Sequence, residues 1–359
     1  MKALILAGGF GTRLRPLSCT RPKILFPILN KPLIEWILEG LAQSGVEEAI
    51  LAVNSQTAFH LKHSIFSKSG LKIVYSCDPL EKPLGTGGPV RKAEKILGKE
   101  DFLVINGDIF TNINYMEIAK THKEKKAVAT IAVYSVEDPF RYGVAELAND
   151  GRIKRFIEKP SFGAFSSNIV NAGIYVLSPE IFSHIPEGGK FSLEREVFPK
   201  LAEDGRLYGH IFKGLWADIG KIRDYFEINK TLLETFPNKR KSLIRRGFNA
   251  PLMCGMGSFI GEKSIVGPYA ILGRNVRIGK NVCVRNSILF NKVSIGDSSF
   301  INGAIIGENV TIGENVKINK NCVIGDYAII GDGVTLKRGT AVCPAKEVFE
   351  SVENRKCIF

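Results

Sequence analysis

The residues of this chain best equipped for chemistry are suited to handling phosphate. The run Leu6-Ala7-Gly8-Gly9-Phe10-Gly11-Thr12-Arg13-Leu14-Arg15-Pro16 closes a short apolar stretch, and Arg21-Pro22-Lys23 follows. Glycines after a buried strand let backbone N–H groups approach a polyphosphate with no Cβ in the way. Arg13 and Lys23 would then add fixed positive charge where a pyrophosphate departs. The glycines alone could equally make a plain turn. The spacing is not the P-loop G-x-x-x-x-G-K-[ST], and the Arg and Pro that follow do not suit the helix entry of a dinucleotide fingerprint. Two acids could complement the loop: Asp108 in Asn106-Gly107-Asp108, after the apolar run 102–105, and Asp218 in Trp216-Ala217-Asp218-Ile219-Gly220. An isolated Asp after a strand is usually a turn residue or a helix cap. Two carboxylates gathered from distant sequence, however, are a hard-oxygen pair suited to Mg²⁺, which keeps water and substrate phosphates in its shell. Glu158-Lys159-Pro160 ends the alternating run 152–157 and by itself reads as a solvated ion pair.

These residues need a scaffold, and the chain supplies two different ones. Up to about residue 235, strand-length apolar runs (3–7, 49–53, 71–75, 102–105, 128–134) alternate with helical patterns at 33–41, 59–66 and 90–97. Strand–helix–strand order predicts a Rossmann-like domain with a mostly parallel sheet covered on both faces. Ligands of such sheets bind beyond the carboxyl ends of the strands, where the loops above lie. From about residue 254 an aliphatic residue recurs every six positions, often before Gly, as at Ile260-Gly261, Val266-Gly267, Leu272-Gly273 and Ile278-Gly279. Val284 and Phe290 continue the series. It slips by one before Ile295 and again before Ile306, then runs on to Val342. A six-residue period is one short strand plus a tight turn, three of which make a coil of a left-handed parallel β-helix. The Gly is expected to supply the positive φ of the turn. The organisation is therefore a nucleotide-handling domain over 1–235, a basic linker over 236–253, a hexapeptide-repeat domain over 254–345 and a tail over 346–359. The linker holds Lys239-Arg240-Lys241, Arg245 and Arg246, read as a solvated connector.

Composition narrows the classes. With 359 residues and 45% hydrophobic content the chain can build two domains, and its 24% charged fraction excludes disordered or fibrous classes. No apolar run reaches the roughly 18 residues that a membrane span needs. Seven scattered cysteines with no C-x-x-C pair argue against disulfides or structural zinc and for a reducing, cytoplasmic setting. The net charge of +13 calls for an anionic partner. No aromatic-interleaved basic module points to nucleic acid, so polyanionic small substrates are the expected source of that demand.

Taken as a unit, G-G-x-G-T-R-L-R-P-L with a downstream P-K resembles the signature of the sugar-1-phosphate nucleotidylyltransferases, over nearly all of residues 1–235. Pro83-Leu84-Gly85-Thr86-Gly87-Gly88-Pro89, Tyr142-Gly143-Val144, Glu158-Lys159-Pro160, Asn171-Ala172-Gly173-Ile174-Tyr175 and Glu194-Arg195-Glu196-Val197-Phe198-Pro199 add to the likeness. So does the hexapeptide tail. Within the family it is most similar to the branch that makes GDP-mannose. The resemblance implies that Leu6, Gly8, Gly9, Gly11, Thr12, Arg13, Lys23, Gly85, Thr86 and Asp108 take the nucleotide. It implies that Gly143, Glu158, Lys159, Asn171, Gly173 and Asp218 take the sugar phosphate. Asp108 and Asp218 become Mg²⁺ ligands, and Arg13, Lys23 and Lys159 the catalytic cations. Gly107 stands where many members carry Ser or another small residue. The implied reaction is attack of a sugar-1-phosphate oxygen on the α-phosphorus of a nucleoside triphosphate, releasing pyrophosphate.

Other readings stay open. Mannose-1-phosphate with GTP is the expected pair, but glucose-1-phosphate with UTP, dTTP or ATP would use the same parts. A regulatory subunit that binds sugar nucleotide without turnover would be expected to lose loop or metal residues, all of which are present. An additional acetyltransferase activity would want a His base on the β-helix, yet His60, His63, His122, His184 and His210 all precede it. Nucleic acid and membrane are not expected partners; a homo-oligomer, dimer or higher, is.

Overall fold

Five of the apolar runs become strands in the computed structural model, which describes residues 1–62, 70–79, 83–161, 163, 167–235, 248–352 and 357–358. The basic cluster at 239–246 lies outside the described residues. The strands are Lys2–Leu6 (β1), Glu48–Asn54 (β2), Lys72–Asp78 (β3), Phe102–Asn106 (β4) and Ala129–Ser135 (β5), followed by Gly143–Leu147 (β6), Ile153–Glu158 (β7), Ile169–Leu177 (β8) and Leu207–Ile211 (β9). They form one nine-stranded sheet in the order β7-β6-β8-β4-β1-β2-β3, with β5 also beside β8 and β9 beside β5. The centre is parallel: β1 pairs with β2 and β4, and β2 with β3. Ala3, Leu4 and Ile5 are all fully buried, as a strand covered on both faces requires. The other side carries β8, antiparallel to β4, β5 and β6. Helix Leu33–Gln43 buries Leu33, Ile34, Ile37, Leu38 and Leu41, the stripe its spacing predicts. Helix Tyr115–Lys125 starts where the Asn114 side chain accepts from Met116 N at 3.0 Å.

Contacts divide the chain into two units, Met1–Gly9 with Leu33–Ile219, and Phe10–Pro32 with Gly220–Phe359. In the second unit every third short strand stacks on its predecessor, giving three parallel ladders of seven, six and five strands. Val266, Val284, Ile301, Ile318 and Leu336 form one inward file, and each is at most 2% exposed. The slips in the period are coils shortened by one residue: Val266 to Val284 is 18 positions, Val284 to Ile301 is 17. The seven-stranded ladder runs on to Cys357–Ile358, paired with Ala341–Val342.

Two expectations about the repeats need correction. Leu289, not Phe290, takes the inward place opposite Leu272, because the shortened coil brings the file forward by one. Phe290 packs outside the file against Phe26 and Tyr225, with ring centroids 6.5 Å from each. Gly267 does take a positive φ, 97°, but the other glycines that follow the aliphatic residue, such as Gly261 and Gly279, are needed for stacking and not for a positive φ. A Cβ on Gly261 would lie 2.4 Å from Gly279 O, and one on Gly279 would lie 2.3 Å from Asp297 Oδ1. The left-handed corner falls two residues later on Asn275, Asn281, Asn309 and Asn315, at φ of 55–56°. Asn tolerates that region better than other side chains.

No helix among the described residues is long and apolar enough to cross a membrane.

Candidate active site

In the first unit the nucleotide-loop residues begin where the sheet ends. Leu6 is the last residue of β1 and pairs with Ala52 and Asn106. The ladder closes with Ala7 N donating to Ala52 O at 2.8 Å and Gly107 N to Leu6 O at 2.9 Å. Gly8 emerges at the carboxyl edge of the parallel strands, its carbonyl accepting from Asn54 Nδ2 at 3.0 Å. A Cβ on Gly8 would sit 3.5 Å from Asp78 Oδ2, and around Gly9 there is open space. Asp78 ends β3, and burial raises its carboxyl above the usual range, partly offset by Lys92.

The two candidate metal ligands come together through a ribbon that no local pattern announces. Strand Ile109–Thr111 runs antiparallel to Trp216–Asp218, with Asp218 opposite Ile109. Ile219 N donates to Asp108 O at 2.9 Å, so the two acids occupy neighbouring ends of the ribbon. A pair of carboxylates is a donor set that fits a hard divalent cation, whose remaining positions go to water and phosphate. Among the described residues no group of three or more His, Cys, Asp or Glu could hold a metal.

Glu158 closes β7 opposite Gly143 on β6. A Cβ on Gly143 would fall 2.8 Å from Glu158 Oε2, so the glycine makes room for the carboxylate. Burial raises the Glu158 pKa; Lys159 opposes the shift and Glu194 adds to it. Lys159 adopts φ 51°, rare for a long side chain, and is held there by its N–H bonding Tyr142 O at 3.0 Å. Its Nζ lies 3.5 Å from Glu158 Oε1. A cavity of about 580 Å³ beside them is lined by Lys154, Arg155, Glu158, Lys159, Glu194 and Arg195 among others.

Asn171 and Gly173 sit where β8 shifts register against β5, between Asn171 and Tyr175. Gly173 has φ 74°, and a Cβ there would lie 2.8 Å from Asn106 Nδ2. Gly173 N donates to Asn171 Oδ1 at 2.8 Å, and Trp216 Nε1 donates to Ala172 O at 2.9 Å. The irregularity is therefore tied to the Asp218 ribbon by the Trp216 indole.

The loop at Gly85–Thr86 is docked on residues 191–194. Gly85 bridges to Phe191, and a Cβ at Gly85, φ 74°, would fall 2.2 Å from Phe191 O. Gly87 N donates to Phe191 O at 2.9 Å, and Phe191 N to Leu84 O at 3.0 Å. Only glycine fits at 85.

In the second unit lie Gly11, Thr12, Arg13 and Lys23. Gly11 at φ 60° caps the short turn Thr12–Leu14, and its carbonyl accepts from Ser18 Oγ at 2.8 Å. Arg13 is exposed and Lys23 half-buried. The segment Phe10–Pro32 is fastened to the rest of this unit by Arg21, which pairs with Glu308, lies 3.6 Å from Asp326 and stands 4.9 Å over the Phe290 ring. Thr20 Oγ1 donates to Asp326 Oδ2 at 2.7 Å, and Tyr225 OH to Pro27 O at 2.6 Å.

Sequence reasoning gave Tyr175 and Glu194 no role. Glu194 is 8% exposed inside the π-helical turn Leu193–Val197, and the Tyr175 hydroxyl bonds it. The available signal was a carboxylate set among residues that must be buried, Leu193, Val197 and Phe198.

The nucleotidyl transferase family model matches residues 2–235, and the model of the GMPPB C-terminal domain matches residues 248–358. A probable mannose-1-phosphate guanylyltransferase 1 of Oryza sativa subsp. japonica is 39% identical over 251 residues, covering 69% of each chain. The mannose-1-phosphate guanylyltransferase catalytic subunit beta of Danio rerio is 38% identical over 250 residues, again covering 69% of each. The crystal structure of HddC from Yersinia pseudotuberculosis complexed with GMP-PN is 30% identical with a TM-score of 0.54, covering 64% of this chain and 99% of that one. With its glycine-edged sheet, paired acids and two matching family models, the chain belongs to the nucleotidyl transferase family, as a sugar-phosphate nucleotidyltransferase.

Proposed function

We propose that this protein transfers GMP from GTP to mannose-1-phosphate, giving GDP-mannose and pyrophosphate. The observation that carries the reading is the ribbon that sets Asp108 beside Asp218 on the unit that also presents Gly8 and Lys159. The guanylyltransferase names of the curated relatives, and the GMP-PN in the HddC structure, favour guanine and mannose over the other pairs.

A phosphate oxygen of the sugar-1-phosphate attacks the α-phosphorus in line as the bond from that phosphorus to the bridging oxygen breaks, and pyrophosphate leaves with the electron pair. No side chain needs to act as nucleophile; positioning and charge neutralisation supply the rate. Leu6, Gly8, Gly9, Gly11 and Thr12 present backbone groups to the nucleotide, Arg13 and Lys23 neutralise the triphosphate, and Gly85 and Thr86 hold the base edge. Lys159, fixed by its left-handed backbone, holds the attacking phosphate, while Glu158 and Asn171 take sugar hydroxyls over Gly143 and Gly173. Asp108 and Asp218 would hold Mg²⁺, which when bound neutralises phosphate charge and orients the reacting groups.

The test is a pyrophosphate-release assay that pairs GTP, ATP, UTP and dTTP with mannose-1-phosphate and glucose-1-phosphate, with and without Mg²⁺. The expected outcome is a metal-dependent signal strongest for GTP with mannose-1-phosphate. A stronger signal for another pair would replace the substrates, and silence from folded protein across the grid would remove the catalytic reading.

A further inference from the structure

A continuous chain of side-chain hydrogen bonds links the loop at Gly85–Thr86 to Asn171. Thr86 Oγ1 donates to Glu194 Oε2 at 2.5 Å, and Ser192 Oγ donates to the same oxygen at 2.8 Å. Tyr175 OH donates to Glu194 Oε1 at 3.0 Å, and Asn171 Nδ2 donates to that hydroxyl oxygen at 3.0 Å. Leu193 N donates to Thr86 Oγ1 at 3.0 Å, and Gly173 N to Asn171 Oδ1 at 2.8 Å. Each member thus has its donor and acceptor sides occupied in a defined sense.

The sense is set by Glu194. An ionised carboxylate only accepts, so the hydroxyls of Thr86, Ser192 and Tyr175 must all point their protons at it. With its proton committed, the Tyr175 oxygen can only accept from Asn171, which fixes which end of that amide is nitrogen. Burial and the Glu194 charge hold the Tyr175 phenol well above its usual range, so it remains a donor at working pH. Its ring is locked edge-on against Phe198, with centroids 5.0 Å apart. A buried carboxylate bonded by three hydroxyls is costly to keep for packing alone, because an apolar residue of similar volume would avoid the desolvation.

We infer that Glu194 and Tyr175 are positioning residues that couple the two substrate subsites: an ordered hydrogen-bond relay through which occupancy of the nucleotide loop at Thr86 and of the sugar side at Asn171 strengthen one another. The inference rests on the proposed assignment of those two subsites. Its consequence is that each substrate binds more tightly when the other is present, and the coupling is reciprocal.

The experiment is calorimetric, on the full chain with Mg²⁺, using α,β-methylene-GTP, which cannot react at the α-phosphorus, and mannose-1-phosphate. Each is titrated alone and against a saturating amount of the other. Wild type is expected to show a coupling factor of about fivefold or more. Tyr175→Phe keeps the ring packing and removes the link, so coupling should fall below about twofold. Thr86→Val, which cuts the relay at its other end, should do the same. Glu194→Gln, which can donate as well as accept, leaves the sense of the relay undefined and should also lose coupling. Rigid packing without a relay would leave the coupling factor of Tyr175→Phe at the wild-type value, and that result overturns the inference. So does a wild type in which the ligands bind independently or not at all. The substrate reading is judged separately by wild-type turnover in the same preparation. Turnover without coupling removes the relay and keeps the function, whereas absence of turnover with any pair removes the function itself.

Discussion

Both units hold residues in the left-handed region of backbone space, and they do so differently. In the β-helix that conformation is periodic: Asn275, Asn281, Asn309, Asn315 and Asn321 recur at corners of successive coils with φ between 55° and 63°. Each corner repeats its neighbour, and the amide N–H of Asn281 reaches Glu262 O below as that of Asn315 reaches Asp297 O. In the first unit, Met1–Gly9 with Leu33–Ile219, the non-glycine residues so placed among the described residues are Lys126, which closes a helix, and Lys159. Lys159 has no repeating neighbour to share its strain and sits beside Glu158 at the end of a strand. Strain that recurs with a period builds architecture, whereas strain that occurs once, beside a charged pair and a cavity, marks chemistry.

Four measurements would break or sharpen that contrast. Asp108→Asn should lower turnover by about 10³-fold, since the metal interaction it supports is worth several kcal/mol. Circular dichroism should be unchanged; normal Mg²⁺-dependent rates would sink the assignment. Gly85→Ala and Gly279→Ala meet similar obstacles, 2.2 Å from Phe191 O and 2.3 Å from Asp297 Oδ1. Each should cost about 1–3 kcal/mol of unfolding free energy by overpacking, but only Gly85→Ala should also raise the KM for the nucleotide. If both variants changed KM, the division between architectural and chemical strain would fail. Asn281→Ala should cost about 1 kcal/mol in denaturant unfolding with turnover intact, and Asn281→Gly should cost far less.

The smallest effect concerns pH. Burial lowers the pKa of His122, with Asp101 opposing, and lowers that of His210, with Glu117 opposing. A histidine held neutral in the fold but protonated when unfolded contributes stability that is present above about pH 6.5 and lost as pH falls toward its folded value. The raised carboxyls of Asp78 and Glu158 act in the opposite sense on acidification, so the histidine contribution is read by difference: between pH 7 and pH 5 the denaturation midpoint of the wild type should fall relative to that of a His122→Gln, His210→Gln variant. A difference that did not change with pH, or that changed in the other direction, would contradict both histidine shifts.

The six-residue period of the second unit could be read from the sequence because every coil repeats the same demand. Even the one-residue slips were visible, although only the ladder register shows that they are 17-residue coils which hand the inward place to Leu289. The reason for the glycines was not readable, because it lies in the distance to the coil above. At the site, contiguous motifs such as Glu158-Lys159 and Asn171-Ala172-Gly173 stood out as units. Two things did not: the ribbon that pairs Asp218 with Ile109, and the buried bonds from Glu194 to Thr86. Both join residues about a hundred positions apart, so no local spacing encodes them.

The segment Phe10–Pro32 has a consequence for recombination. The family models meet in the interval between residues 235 and 248, which invites treating the gene as two exchangeable cassettes. The fold does not divide there. A chimera that joined residues 1–235 to a foreign repeat domain would carry Arg21, Thr20 and Phe26 away from Glu308, Asp326 and Phe290. A functional exchange would have to transplant those partner residues into the new coils. The unit of inheritance that survives shuffling is therefore the signature segment together with its seat on the β-helix.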